Sequence, residues 1–485
     1  MRLNAKQIAQ ITGADIVVDP LGAKELACSL TWDSREVVPD ALYVALPGQR
    51  VDGHDFVDSA LRSGASLALV MKNPSEQTCA LARELGAGIL EVPDTADAIT
   101  QLAAAWRLKL SGCVIGLTGS SGKTTTKNLV RDVLAAQHSV VATKANQNNE
   151  LGVPKTLLSA DADTEYVVVE MGMRGQGQIH GLCSFVQPDM GLIVNVGESH
   201  IELLGGRDNI ARAKGELFCE LPSHKGVAFV NAGGDYADFL CENAHLAARD
   251  VRVVRFGLQA APEDNAPAVW AENIHLDEEG RPCFVLCAQG FAQLQRGETH
   301  VPVSLNLRGL HNVSNATAAA AVGLQCGMAL ETIALALQAA LPEVGRQEVV
   351  KARAGYTIVN DTYNANPESM RASLLTFSAM DGFGRHIAVL GDMGELGSYA
   401  EACHKGIGAL IPSLNVDYLI CIGELSAYIA QAALEAGMSA DRIVQANSIS
   451  DVLGTLDSML EPTDAVLVKA SHFMGLSRVV EGLIR

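Results

Sequence analysis

No two cysteines in this chain form a CxxC pair, although 11 are scattered from Cys28 to Cys421. That absence excludes a zinc knuckle and a disulfide framework and fits a reducing compartment. Long apolar runs are also missing. The N-terminus, MRLNAKQIAQITGAD, lacks the apolar stretch of a secretory signal. The longest uncharged run, between Arg308 and Glu331, is diluted with Asn, Ser, Thr and Gln, which suits a buried Ala-rich helix better than a membrane span. No transmembrane segment is expected, and a cytoplasmic location is. Basic residues are in deficit: 36 Lys and Arg against 55 Asp and Glu leave −19. The averaged surface therefore repels nucleic acid and acidic membranes, while a local basic pocket stays compatible with that balance.

Apolar material is ample, at 48% of the chain with 45 Gly and 16 Pro, the composition of a globular protein. At about 150 residues per domain, the 485 residues suggest roughly three domains. Up to about residue 92, strand-like runs such as LYVAL (42–46) and SLALVM (66–71) alternate with Gly- and Asp-containing turns, as in a small α/β unit. Residues 93–110 show the helical spacing of Ile99, Leu102, Ala103 and Trp106, with Thr95 or Asp97 as the expected cap. From Cys113 the near-continuous apolar runs CVIGLTG, SVVAT, YVVVEMG, GLIVNVG, GVAFVNAGG and VRVVRFG predict a parallel sheet covered on both faces by helices. Alternation in AVWAENIHL and CFVLCAQG around EEGRP predicts an antiparallel appendage, and the Ala-rich helix is expected to close this unit near 330. GYTIVND, HIAVLGD, VDYLICIG and DAVLVKAS then predict a third sheet. The expected fold class is α/β with domains at 1–92, 93–330 and 331–485.

The strongest local signal is Thr118-Gly119-Ser120-Ser121-Gly122-Lys123-Thr124-Thr125, between the apolar run ending at Leu117 and a helix-compatible segment. Glycines let backbone N–H groups turn around an anion, the helix N-terminus adds positive potential, Lys123 reaches terminal phosphates and Thr124 offers a hydroxyl to magnesium. Leu117 stands where the longer form of this motif has Gly, so the spacing is GxxGK[ST]. Glu170 ends YVVVEMG, where ligands of parallel sheets collect, and reads either as a magnesium carboxylate or as a solvated acid. His200 and Lys214 follow the next strand and could reach the same edge; alone, each reads more simply as structural or solvated. Two Asn-rich segments, NQNNELGVP (146–154) and GLHNVSNATAA (309–319), offer amide donors and acceptors. Asn312 and Asn315 could share one helical face, although capping is the commoner use of such residues. NDTYNANP (360–367) and LGDMGELG (390–397) read as strand-end loops, equally suited to binding or to turn formation.

Taken together, TGSSGKTTTK, VVVEMG, the His200 and ARAKGELF segments, HNVSNATAAAA, NDTYNANP and LGDMGELG resemble the Mur ligase family through nearly the whole chain. DSREVVPDALYVALPGQRVDGHDF (33–56) resembles the UDP-sugar-binding domain of its late-acting members. The resemblance implies a small N-terminal α/β UDP-binding domain, a central P-loop ATPase-like parallel-sheet domain and a C-terminal Rossmann-like domain that closes over ATP. NNELGVP, DTYNANP and LGDMGELG resemble the member that adds D-alanyl-D-alanine to UDP-N-acetylmuramoyl-tripeptide. The member that adds the third amino acid would carry a DNPR-type segment, which this chain lacks. A folylpolyglutamate-synthase-like ligase is the further alternative, discriminated by residues 1–92. The family pattern implies nucleotide contacts for Gly119, Ser120, Ser121, Gly122, Lys123, Thr124, Thr125, Asn312, Asn315, Arg346 and Asp361. It implies substrate contacts for Ser34, Arg35, Asn148, Asn149, Tyr363 and Asn364, and a magnesium site at Thr124, Glu170 and His200. Lys123, His200 and Lys214 would be catalytic, with Lys214 matching a lysine that the family carbamylates. ATP, Mg2+, the UDP-muramoyl tripeptide and D-alanyl-D-alanine are the implied ligands, and a monomer is expected. In LVKASHFMGLSRVVE, Ala470 and His472 replace the Gly and Arg of the family's KGSR, and no role is carried over there.

Overall fold

The computed structural model describes residues 1–22, 26–48, 51–258, 266–294 and 299–484; Gln49 and Arg50, within the 33–56 segment, lie outside the described residues. Among the described residues, three large sheets follow one another along the chain. In the first, the spatial order is Asp15–Val18, Gly88–Glu91, Leu67–Val70, Ala41–Val44, Ser29–Thr31. All its pairs are parallel except the one at the Asp15–Val18 edge. LYVAL and SLALVM supply interior strands buried at every position, as unbroken apolar runs require.

The helix Thr95–Arg107 leads into the second sheet and buries Ile99, Leu102, Ala103 and Trp106. Its cap is neither Thr95 nor Asp97. Asp94 alone has the extended backbone that lets its carboxylate accept from the N–H groups of Ala96 and Asp97, at 2.8 and 3.0 Å. Thr95 turns inward and donates to the Ala45 carbonyl at 3.0 Å.

The second sheet runs Val140–Ala142, Tyr166–Glu170, Cys113–Thr118, Met190–Ile193, Val227–Asn231, Arg252–Gly257, Ala268–Leu276, Pro282–Gln289, His300–Ser304. Pairing is parallel through Ala268–Leu276, and the last two strands form the expected antiparallel appendage. The chain leaves Cys113–Thr118 for one edge, returns through Tyr166–Glu170, then crosses to the other side. That reversal opens a crevice at the C-terminal strand ends, where ligands of such sheets bind. The Ala-rich helix, His311–Gln325, packs on the helix Lys123–Ala135 with Ala316 and Ala318 to Ala321 fully buried. Small side chains permit that approach, and a Cβ on Gly323 would meet Val133 at 2.7 Å. The following helix, Leu330–Ala339, packs on the same two helices and on His300–Ser304, so the passage to the third sheet falls at 340–347.

The third sheet is ordered Glu348–Lys351, Thr357–Asp361, Ala465–Lys469, His386–Gly391, Tyr418–Ile422, Ile443–Ala446 and is parallel apart from its first strand. The four apolar runs form its interior. The two edges, EVVK and IVQA, are too short and polar to have signalled themselves. Among the described residues no helix is long and apolar enough to cross a membrane.

Candidate functional site

A cavity of about 1420 Å³ lies between the strand ends of the second and third sheets. Its floor is the loop between Cys113–Thr118 and Lys123–Ala135. Gly122 adopts φ 74°, and a Cβ there would stand 2.8 Å from Asn315 Oδ1, so conformation and close approach both call for glycine. Asn195 braces the loop: its Oδ1 accepts from the N–H groups of Ser120 and Ser121 at 2.9 and 3.0 Å, and its Nδ2 donates to the Ser121 carbonyl at 3.1 Å. Lys123 curls over the loop and donates to the carbonyls of Gly119 and Ser120, at 2.8 and 3.4 Å. Burial lowers its pKa, with Glu170 opposing.

Glu170 emerges from the adjacent strand end, 1% exposed. Its Oε1 accepts from Asn148 Nδ2 at 2.9 Å and from Thr124 Oγ1 at 3.4 Å, whereas Oε2 is buried without a hydrogen-bond partner among the described residues. An orphaned carboxylate oxygen beside a hydroxyl is a fit for a hard divalent cation that completes its shell with phosphate oxygens and water. Among the described residues no group of three His, Cys, Asp or Glu converges as a metal cage. His200, at φ 64°, lines the same cavity, and its Nδ1 lies 2.5 Å from Glu395 Oε2 in a close contact without hydrogen-bond alignment.

The third sheet reaches across. Arg346 donates from Nη2 to Thr124 Oγ1 at 2.8 Å and stacks over Tyr363, 3.9 Å from the ring centre. Glu368 accepts from Ser121 Oγ at 3.3 Å and from the Glu198 N–H at 3.1 Å, and burial raises its carboxyl above the usual range. Asn366 donates to Ser199 Oγ at 2.6 Å. Asp361 is tied to the buried Lys469 at 2.7 Å, and Lys469 also donates to the Asn364 carbonyl at 3.0 Å.

Most residues singled out from the sequence thus share one cavity: Ser120 to Thr125, Asn148, Asn149, Glu170, His200, Asn312, Asn315, Arg346, Asp361, Tyr363 and Asn364 all line it. Gly119 stands just beneath as an acceptor for Lys123. Lys214 lies outside the lining, 1% exposed and in no ion pair among the described residues. Its pKa is far below that of an ordinary lysine, through burial first and then the nearby Lys123 charge. Ser34 and Arg35 sit apart, in the short turn Ser34–Glu36 of the first unit, where the exposed Arg35 pairs with Asp33 at 2.6 Å.

Asn312 and Asn315 do not cap their helix, contrary to the commoner use. Asn312 donates to the Arg308 carbonyl at 2.6 Å, and Asn315 donates to Asn312 at 2.8 Å while accepting from Thr126 at 3.1 Å. Both are buried on one helical face. Asn366 and Glu395 fall within the strand-end loops NDTYNANP and LGDMGELG, and Asn195 and Lys469 within quoted apolar segments, but no motif marks them individually, and Glu368 lies just beyond NDTYNANP. Asn195 ends an apolar run much as Glu170 does, which was its available signal.

A strand, phosphate loop and helix with a strand-end carboxylate beside them, closed over by the loops of another sheet, define a nucleotide-using enzyme of the phosphoryl-transfer class. The chain belongs to the Mur ligase family. Residues 117–323 match the Mur ligase middle domain, 345–472 the Mur ligase glutamate ligase domain, and 29–107 the catalytic domain of the Mur ligase family. The chain is 37% identical to the UDP-N-acetylmuramoyl-tripeptide–D-alanyl-D-alanine ligase of Mycobacterium tuberculosis, over 100% of this chain and 98% of that protein. Among solved structures it is similar to MurF from Acinetobacter baumannii at 31% identity and TM-score 0.81, covering 100% of this chain and 99% of that one. It is also similar to MurF ligase from Thermotoga maritima in complex with ADP, at 26% identity and TM-score 0.73, covering 94% and 96%.

Proposed function

We propose that this chain is the ATP-dependent ligase that joins D-alanyl-D-alanine to UDP-N-acetylmuramoyl-tripeptide through an acyl phosphate, in cytoplasmic assembly of the peptidoglycan precursor. The observation that carries the reading is the single cavity in which a phosphate loop faces Arg346, Tyr363 and Asn364 of the third sheet. Full-length similarity to ligases of that name supports the choice of substrates.

A carboxylate does not acylate an amine in neutral water, because oxide would have to leave. A carboxylate oxygen of the tripeptide therefore attacks the γ-phosphorus of ATP, and ADP departs. The amine of the dipeptide then attacks the acyl carbon, loses its proton, and expels phosphate carrying the original carboxylate oxygen. Lys123, released from the loop carbonyls, would neutralise the transferring phosphoryl group. The amides at the start of Lys123–Ala135 would hold the β-phosphate, Asn312 and Asn315 would position the nucleotide, and Arg346 would exchange Thr124 for a phosphate contact. Thr124 and Glu170 would hold magnesium, with His200 at the margin of that site; the ion supplies charge neutralisation at the phosphates. Ser34 and Arg35 would take the UDP moiety, while Asn148, Asn149, Tyr363 and Asn364 would contact the peptide substrates.

Lys214 fits carbamylation. Burial lowers the pKa of this amine and so favours its neutral form, which would add to carbon dioxide and release a proton to give the carbamate, an anion that the nearby Lys123 would stabilise. The assignment is tested by phosphate release with ATP, magnesium, UDP-muramoyl tripeptide and D-alanyl-D-alanine, each omitted in turn. Release is expected only with all four, and release indifferent to the dipeptide would defeat it.

A further inference from the structure

We propose that Glu395 is a positioning residue for His200, delivered across the cleft by the third sheet, so that the imidazole takes its working orientation only when the two units are clasped. The inference rests on the ligase reading for its kinetic consequence, but its structural part stands on the chain alone.

Glu395 belongs to the loop that follows the strand His386–Gly391, and it adopts φ 60°, a left-handed conformation uncommon for a side chain of this size. The loop is held there from three directions. His404, itself fully buried and donating to the Ala400 carbonyl at 2.7 Å, accepts from the Met393 N–H at 3.0 Å. Ser471 Oγ accepts from the Gly394 N–H at 2.8 Å, and the Ser471 N–H donates to the Asp392 carbonyl at 3.0 Å. Gly397, just past the glutamate, packs where a Cβ would stand 2.6 Å from Glu202 Cγ of the second unit. Opposite, His200 is also left-handed, at φ 64°, immediately before the helix Ile201–Leu204.

Two over-determined loops on different sheets therefore present their side chains to each other. The carboxylate lies 2.5 Å from His200 Nδ1 and 3.5 Å from Arg174 Nε. A carboxylate that bonds one ring nitrogen orients an imidazole and leaves the other nitrogen for the site, the usual device for orienting a functional histidine; here the two groups are in contact and only the alignment of that bond is still to be gained. Strain at both ends of one contact is what a functional clasp would retain and a passive surface pair would not.

The test uses Glu395→Gln, Glu395→Asp, His200→Gln and the double variant Glu395→Gln/His200→Gln in the full-length chain, each checked for native circular dichroism. Glu395→Gln is isosteric and keeps the fold accessible should a truncation fail. Its kcat is expected to fall about tenfold with KM for ATP within about twofold, the size usual for an orienting carboxylate. Glu395→Asp should recover part of the loss, and the double variant should be no slower than His200→Gln alone. Independently of any turnover, single-molecule energy transfer between dyes on the second and third units should show a smaller clasped fraction in Glu395→Gln. A kcat loss that is non-additive with His200→Gln supports the assignment. Multiplying losses, or a kcat unchanged in Glu395→Gln, overturns it whatever the dye distances show. Should the wild type lack dipeptide-dependent phosphate release, the ligase reading fails by itself, and an unchanged clasped fraction then removes the positioning role as well.

Discussion

The two walls of the cavity are built on different principles. The wall from the second sheet is a backbone loop, braced by Asn195 within the same unit and seated on a helix start. The wall from the third sheet consists of side chains, Arg346 and Glu395 on loops and Glu368 at the start of the helix Pro367–Ser378, each of which reaches a partner in the opposite unit. The first wall is braced within its own unit, while the second presents side chains that make contacts across the gap. A site divided in this way binds phosphate on a preorganised surface and makes chemistry depend on closure.

Three substitutions would sharpen that contrast, the largest effect coming first. Lys123→Ala removes the cation of the loop, and dipeptide-dependent phosphate release should fall about a thousandfold or more with native circular dichroism, the size associated with losing a transition-state charge partner. Near-normal turnover would take the loop out of the mechanism. Lys214→Ala should lose about a hundredfold, and small carboxylic acids should restore part of it by standing in for the carbamate. Full activity without added acid would refute that role.

Glu368→Gln tests the delivered wall. Glu368 places a carboxylate on the phosphate loop, so its replacement should tighten ADP binding by about threefold, as for a partly screened charge. The pH dependence has a defined sign. Burial raises this carboxyl above the usual value of 4.5, so it takes up its proton sooner than an ordinary glutamate as pH falls. Protonation removes a negative charge beside the phosphates, and wild-type ADP affinity should therefore rise as the medium is acidified toward that raised value. Calorimetric titrations should show this slope in the wild type and its loss in Glu368→Gln.

What could be read from the sequence follows the same division. The strand, loop and helix around Lys123 are contiguous, so spacing alone exposed them, and Glu170 announced itself by ending an apolar strand. Helix caps are local too, yet Asp94, Thr95 and Asp97 all suit a cap, and only backbone geometry selected Asp94. Asn312 and Asn315 were ambiguous because their use depends on Thr126 and on the Arg308 carbonyl, which only the packed helices supply. The cross-cleft contacts were invisible for a stronger reason. Ser121 and Glu368 are separated by 247 positions, and no periodicity or motif links an acid in a Pro-initiated helix to a distant phosphate loop. Net charge misled only in scale: −19 describes the envelope, whereas Lys123, Arg346 and Lys469 gather at one cleft.

The central claim, that the acceptor carboxylate is activated by phosphoryl transfer in this shared cavity, is tested most directly by following oxygen. With both oxygens of the acceptor carboxylate labelled with oxygen-18, mass spectrometry of the released phosphate should find one labelled oxygen per phosphate after a single turnover. Phosphate released at the normal rate with no label would contradict the account.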